Sequence, residues 1–72
     1  MDILELEQKE RLSREEVAAR LRNLADMLSR HNDIEFDRGG MHFKVRVPDQ
    51  VNLKLELEVD DDGCEFEIEL TW

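Results

Sequence analysis

Residues 51–72 read VNLKLELEVDDDGCEFEIELTW, and an apolar side chain occupies nearly every second position on both sides of the acidic centre. Successive side chains of a strand point to opposite faces, so this alternation predicts two β-strands with one apolar and one polar face each. Asp60-Asp61-Asp62-Gly63 between them is typical of a hairpin loop. We therefore expect a long antiparallel hairpin whose apolar face is buried.

Shorter alternating segments precede this hairpin and predict further strands at residues 3–8, 34–36 and 41–47. Two turns are predicted between the later strands. Gly39 and Gly40 predict the turn at residues 38–40, and Pro48 predicts the turn at residues 48–50. Because short connections favour neighbouring strands, we expect residues 34–72 to form a meander. The first strand is expected to pair beside the last, which gives the strand order 2-3-4-5-1.

One helix is predicted between the first two strands. Ser13 and Glu16 have the spacing of a capping box, and the helix is expected from Arg14 to about Arg30. Its apolar residues recur every three or four positions and form one stripe, composed of Val17, Ala18, Leu21, Leu24, Ala25 and Leu28. The predicted fold is therefore α+β with two layers: one amphipathic helix packed on one face of a four- to five-stranded antiparallel sheet (β-α-β-β-β-β), as a single domain over residues 1–72.

Charge and size restrict the classes of function. The chain of 72 residues has 19 acidic and 10 basic residues, a formal net charge of −9. Such a field repels phosphate groups, so we expect neither a nucleic-acid nor a membrane partner, whereas basic proteins and cations stay open. A domain this small has little room for a catalytic cleft, and no pair of titratable residues has a spacing that demands chemistry. We expect no enzyme and no cofactor.

Location is predicted from the cysteine content and the N-terminal residues. Cys64, as the single cysteine, is compatible with a reducing compartment. The N-terminus shows neither a basic region nor an apolar run, and no segment approaches the roughly 20 apolar residues of a membrane span. We expect a cytoplasmic protein.

The combination of segments resembles the amphi-Trp domain family, named for an amphipathic, alternating segment that ends in tryptophan. The similar segments are residues 11–16 at the helix start, residues 21–28 within the helix, Val47-Pro48-Asp49, and residues 67–72, which end in Trp72. The Asp-rich hairpin and Cys64 are not features of that pattern. The resemblance implies a small stand-alone prokaryotic domain, and it implies no activity, cofactor or catalytic residue.

Two surface sites are predicted at the long hairpin. The first is a weak divalent-cation site formed by Asp60, Asp61 and Asp62, since carboxylates are ligands of Ca²⁺ and Mg²⁺; a solvated turn is the alternative. The second lies on the polar face, where pairing across the loop sets like charges opposite each other and offers a docking surface for a basic protein; a solvated face balanced by His42, Lys44 and Arg46 is the alternative. Its residues are Glu56, Glu58, Glu65 and Glu67.

Single residues with reactive or aromatic side chains are expected to be structural. Cys64 and Trp72 have the parity of the apolar face and are predicted to be buried. His31 and His42 lack the clustered spacing of a metal site. The sequence thus favours a non-enzymatic interaction or accessory domain, which uses its acidic sheet face or an edge strand and binds a basic protein or itself as a homodimer. The alternative function is weak cation binding at the hairpin.

Overall fold

A computed structural model describes residues 4–72 and shows an α+β architecture, as predicted. Helix α1 spans Arg14–Asp26 and continues as a π-helical turn, Met27–His31. Four strands follow: β1 (Asp33–Arg38), β2 (Met41–Arg46), β3 (Asn52–Asp60) and β4 (Gly63–Thr71). Within the described residues, no helix combines the length and the apolar character needed to cross a bilayer.

The start of α1 is the predicted capping box. The Ser13 hydroxyl accepts a hydrogen bond from the Glu16 backbone N–H at 3.1 Å and donates one to Glu16 Oε1 at 3.0 Å. Glu15 and Glu16 place negative charge in the first turn, where it stabilises the positive end of the helix dipole. The cap therefore fixes Arg14 as the first helical residue.

The end of the helix differs from a plain α-helical stop near Arg30. The last five residues form a wider π-helical turn, and Asn32 then adopts the left-handed conformation with φ 57°. Asparagine tolerates this conformation better than most residues, which suits it to the position after a helix. The turn contacts β1, so the helix joins the first sheet mainly through its C-terminal end.

Strands β1 and β2 form an antiparallel hairpin in the register Phe36↔Phe43 and Glu35↔Lys44. Gly39 and Gly40 connect them with φ of 59° and 78°. Two successive positive φ values define a tight hairpin turn that side-chain-bearing residues adopt at a cost, so the two glycines set this register. The predicted turn is confirmed.

Strands β3 and β4 form the second hairpin over nine residue pairs, from Asn52↔Thr71 to Asp60↔Gly63. Leu55 lies opposite Ile68, and Glu56 lies opposite Glu67. Apolar and polar residues therefore separate onto two faces, as the alternation predicts.

The predicted single sheet is not formed, because the two hairpins are separate two-stranded sheets. The Val47 N–H still donates to the Asn32 carbonyl at 2.8 Å beside β1, but the chain then leaves the first sheet. Pro48 has no N–H to donate and restricts the residue before it to extended conformations. The β3–β4 hairpin makes no substantial contact with α1, β1 or β2.

The predicted N-terminal strand is also not seen in the part of it that the structure describes. Residues 4–13 form neither helix nor strand, and Ile3 lies outside the described residues. An ion pair holds this segment to the helix instead, with Arg20 Nη1 2.6 Å from Glu10 Oε2. The hydrogen bond from Arg20 lowers the pKa of Glu10, which is consistent with a stable pair.

Burial is small and lies at the junction of the helix and the first hairpin. Among residues 4–72, Val47 is the one apolar residue that is buried, and Asp33 is the one buried charged residue. The predictions that Cys64 and Trp72 are buried are wrong: Cys64 is exposed, and Trp72 is 52% exposed. Both have the predicted parity, but no helix or strand in the described part of the chain covers the face on which they lie.

Candidate interaction surface

The polar side of the β3–β4 hairpin carries the four predicted docking residues, and we call it the acidic face: Glu56, Glu58, Glu65 and Glu67. The register places Glu56 opposite Glu67 and Glu58 opposite Glu65, as predicted. Like charges in directly opposed positions destabilise a strand pair. The face is therefore electrostatically strained while it is free of a cationic partner.

Repulsion on this face changes the titration of one residue. The pKa of Glu67 is raised, first by a hydrogen bond with Glu65 and then by the negative charge of Glu65, while Lys54 opposes the shift. A hydrogen bond between two carboxyl groups needs one proton, so the pair holds a proton more tightly than an isolated carboxylate does.

Charge is distributed unevenly between the hairpin and the rest of the chain. Residues 51–72 contain eight acidic residues and one basic residue, Lys54, and so carry a formal charge of −7 out of the total of −9. Lys54 Nζ lies 3.4 Å from Glu56 Oε2. The other three glutamates of the acidic face have no ion-pair partner among residues 4–72. The hairpin is thus a strongly anionic arm.

The opposite side of the hairpin is an apolar face that the sequence predicts to be buried. Its members are Leu53, Leu55, Leu57, Val59, Cys64, Phe66, Ile68 and Leu70. Leu57 is 67% exposed, and only Leu70 is half-buried. Contiguous exposed apolar surface of this kind marks an interaction site in a soluble protein. The sequence pattern identifies the face correctly but does not reveal that it is uncovered.

The aspartates at the tip of the hairpin do not form a ligand set. Asp60 Oδ1 accepts hydrogen bonds from the backbone N–H groups of Asp62 at 2.8 Å and Gly63 at 3.2 Å. Such a bond pattern stabilises the turn itself. In the described part of the chain, no three Asp, Glu, His or Cys side chains are arranged to hold a metal ion. The geometry of Asp60, Asp61 and Asp62 therefore does not favour the predicted cation site.

The polar side of β1–β2 balances its own charges. Lys44 Nζ lies 3.5 Å from Asp33 Oδ2 and 3.9 Å from Glu35 Oε1. His42 pairs with Asp37 through Nδ1, and this hydrogen bond, with the charges of Asp37 and Glu35, raises the pKa of the imidazole. This surface is the predicted basic stripe, and most of its charge is already paired with β1.

Asp33 is a polar residue whose burial the sequence does not indicate. Its Oδ1 atom is buried and has no hydrogen-bond partner, while Oδ2 faces Lys44. Asp33 directly follows the left-handed Asn32 and is the first residue of β1. From the alternation alone, an aspartate beside a turn would be predicted to be exposed to solvent.

Beside the helix lies a shallow groove with an apolar floor, formed by Leu12, Val17, Leu21 and Phe36. Glu10 and Arg20, the ion pair described above, lie at its rim. Leu21 is 45% exposed, although the helical stripe is predicted to cover a sheet. Residues 4–72 therefore present two uncovered apolar surfaces, the groove and the apolar face of the hairpin.

Comparison with known proteins gives one result at the level of the family. A family model described as Amphi-Trp domain matches residues 2–72, nearly the full chain. No curated protein and no solved structure matches the chain.

Proposed function

The chain belongs to the amphi-Trp domain family, and we propose that it acts as a non-enzymatic protein-interaction domain whose docking element is the β3–β4 hairpin. One observation carries the proposal: the hairpin stands apart from the helix and from the first sheet, with exposed residues on both faces. A two-stranded hairpin is marginally stable on its own, so this element needs a binding partner.

The acidic face supports a basic protein as one partner. Opposed glutamates are relieved when a lysine or arginine side chain lies between them, because the cation favours both ionised carboxylates. Salt weakens such contacts when they stay exposed to solvent. We therefore expect binding that is strongest at low ionic strength.

The free edges of the hairpin support a second mode of docking. The outer edges of β3 and β4 present backbone N–H and C=O groups to which another strand can be added. The free edge of β2 is one edge to which β3 can be added, and that pairing would give the continuous, helix-covered sheet predicted from the sequence. A cytoplasmic location, predicted from the single cysteine, belongs to the same proposal.

An NMR titration tests the acidic face. A short arginine- and lysine-rich peptide is added to ¹⁵N-labelled protein at low and high salt. We expect shifts at Glu56, Glu58, Glu65 and Glu67 that shrink with salt, and their loss in the double variant Glu56→Gln, Glu67→Gln.

The matched control is the double variant Glu5→Gln, Glu7→Gln, which removes the same charge outside the hairpin and should bind as wild type does. Equal loss of binding in both double variants would show that net charge alone attracts the peptide, and the docking surface would then be rejected. Ca²⁺ added in a separate arm tests the hairpin tip, where we expect no site-specific shift at Asp60, Asp61 and Asp62.

A further inference from the structure

The outer edge of β4 is unpaired along the length of the strand. Among residues 4–72, β4 pairs with β3 alone. The pair Asp60↔Gly63 closes a two-residue loop and is therefore a hydrogen-bonded pair, and such pairs recur at every second position of an antiparallel ladder. The residues between them direct their backbone N–H and C=O groups outward. These residues are Cys64, Phe66, Ile68 and Leu70.

The position of these backbone groups restricts the kind of strand that can be added. Directly opposed residues of an antiparallel pair have their side chains on the same face of the sheet. An added strand therefore hydrogen-bonds through residues whose side chains lie beside Phe66 and Ile68 on the apolar face. Its intervening side chains lie beside Glu65, Glu67 and Glu69. Those positions are non-hydrogen-bonded pairs, in which opposed side chains come closest.

The glutamates of β4 select the charge of the added strand. Within the described residues, none of Glu65, Glu67 and Glu69 has an ion-pair partner. Glu65 and Glu67 instead face glutamates of β3. A lysine or arginine beside each of the three would form an attractive cross-strand pair and relieve the repulsion inside the hairpin. The edge therefore favours a strand that is cationic on one face and apolar on the other.

The other strand edges do not offer the same combination. The acidic residues along β1 already form ion pairs with Lys44 or His42. The polar side of β2 is basic and repels a cationic strand. β3 carries Lys54 among its glutamates, which repels a cation placed beside it. Charge thus distinguishes β4 from the other three strands.

We propose that β4 binds an extended segment of another protein in which lysine or arginine alternates with aliphatic residues, and that this segment adds antiparallel to its outer edge as a third strand. The partner's backbone supplies hydrogen bonds, and its alternate side chains supply charge and apolar contacts. A third strand also stabilises the hairpin, because two strands alone are marginal. This inference rests on the proposed function, since it names the class of partner that the hairpin binds.

Two peptides of identical composition test the alternating pattern. Acetyl-Lys-Val-Arg-Val-Lys-Val-Arg-amide alternates, whereas acetyl-Lys-Arg-Lys-Arg-Val-Val-Val-amide separates its cationic residues from its aliphatic ones. Both carry the same charge, so a difference in affinity at low salt, measured by the fluorescence anisotropy of a labelled peptide, reports the pattern. We expect the alternating peptide to bind about tenfold more tightly, which corresponds to one or two backbone hydrogen bonds.

N-methylated peptides test the backbone hydrogen bonds. N-methylation of the valines in the alternating peptide removes the N–H groups that point to β4, and we expect this peptide to bind no better than the non-alternating one. N-methylation of the lysines and arginines is the matched control, because their N–H groups point away from β4. This control should bind nearly as well as the unmodified alternating peptide, and equal losses in the two methylated peptides would overturn the proposal.

Hydrogen exchange in the wild-type protein identifies the edge that is used. We expect the alternating peptide to slow amide exchange at Phe66 and Ile68 and to leave Leu55 and Leu57, which face the outer edge of β3, unchanged. Protection at Leu55 and Leu57 instead would overturn the assignment to β4.

The two peptides also separate this inference from the proposed function. Equal affinity of the alternating and non-alternating peptides would overturn strand addition and leave the docking of basic partners on the acidic face intact. If neither peptide binds, both strand addition and the docking of basic partners are rejected.

Discussion

Ser13 fixes the start of α1 with a single hydroxyl group that both accepts and donates a hydrogen bond. Its loss leaves the Glu16 N–H without a side-chain partner in the first turn of the helix. We expect Ser13→Ala to lower the free energy of unfolding by about 1 kcal/mol, measured by urea denaturation. Ser29→Ala is the control, because the Ser29 hydroxyl makes only a 3.5 Å contact with the Asp26 carbonyl. Equal losses in the two variants would contradict the cap.

At the same scale, the sequence predicts residues whose role depends on near neighbours. The cap at Ser13, the turn at Gly39-Gly40 and the opposed glutamates all follow from spacings of a few positions. Asp33 could not be predicted in this way. Its burial arises because the π-helical turn packs on β1, and that contact depends on three-dimensional packing.

Elements are the scale at which alternation is most informative. All four strands in residues 33–71 and the registers of both hairpins follow from period-two patterns and turn residues. The strand predicted at residues 3–8 is not seen at residues 4–8, because a six-residue alternating segment is not stable as a strand without a partner strand.

The acidic face makes the stability of the second hairpin depend on pH. Folding raises the pKa of Glu67, so protonation of Glu67 stabilises the folded state. This contribution is fully present below the unfolded-state pKa and is lost as the pH rises through the folded-state pKa. We expect Glu67→Gln to melt at a higher temperature than wild type at pH 7. The difference should vanish below about pH 4.5, near the ordinary value for a glutamate.

Glu69→Gln is the matched control for that comparison. Glu69 lies opposite Lys54, so its removal deletes an attractive pair and should not stabilise the protein at pH 7. A gain for Glu67→Gln that is the same at pH 4 and at pH 7 would exclude repulsion as its cause.

At the scale of the whole molecule, the pattern states which face is apolar but not what covers it. Over residues 33–71, the predicted single sheet and the separate hairpins of the structure use the same four strands with the same parity. In this range they differ in one strand pair, β2 with β3, and that pair depends on whether the short connector turns back or stays extended. Local sequence does not decide between these conformations, because the choice depends on contact energies between surfaces that lie far apart in the sequence.

Leu55→Ala measures whether the apolar face is covered in solution. Leu55 is 58% exposed in a single copy, so truncation there would remove little burial. If a second copy covers the side chain in solution, we expect a loss of roughly 2–5 kcal/mol together with a melting temperature that rises with protein concentration. Lys54→Ala, on the acidic side of the same strand, should change stability far less. If Leu55→Ala hardly changes the free energy of unfolding and the melting temperature does not depend on protein concentration, the apolar face is exposed to solvent.

The opposed glutamates of the hairpin have one more consequence, for solubility. Hairpins with an uncovered apolar face and unpaired strand edges can stack into fibrils in which identical side chains repeat about every 4.8 Å along the axis. In such a stack the glutamates of the acidic face would form ladders of negative charge, which opposes fibril growth at neutral pH. The repulsion that weakens each hairpin therefore keeps many hairpins apart, and acidification removes this protection when it neutralises the ladders.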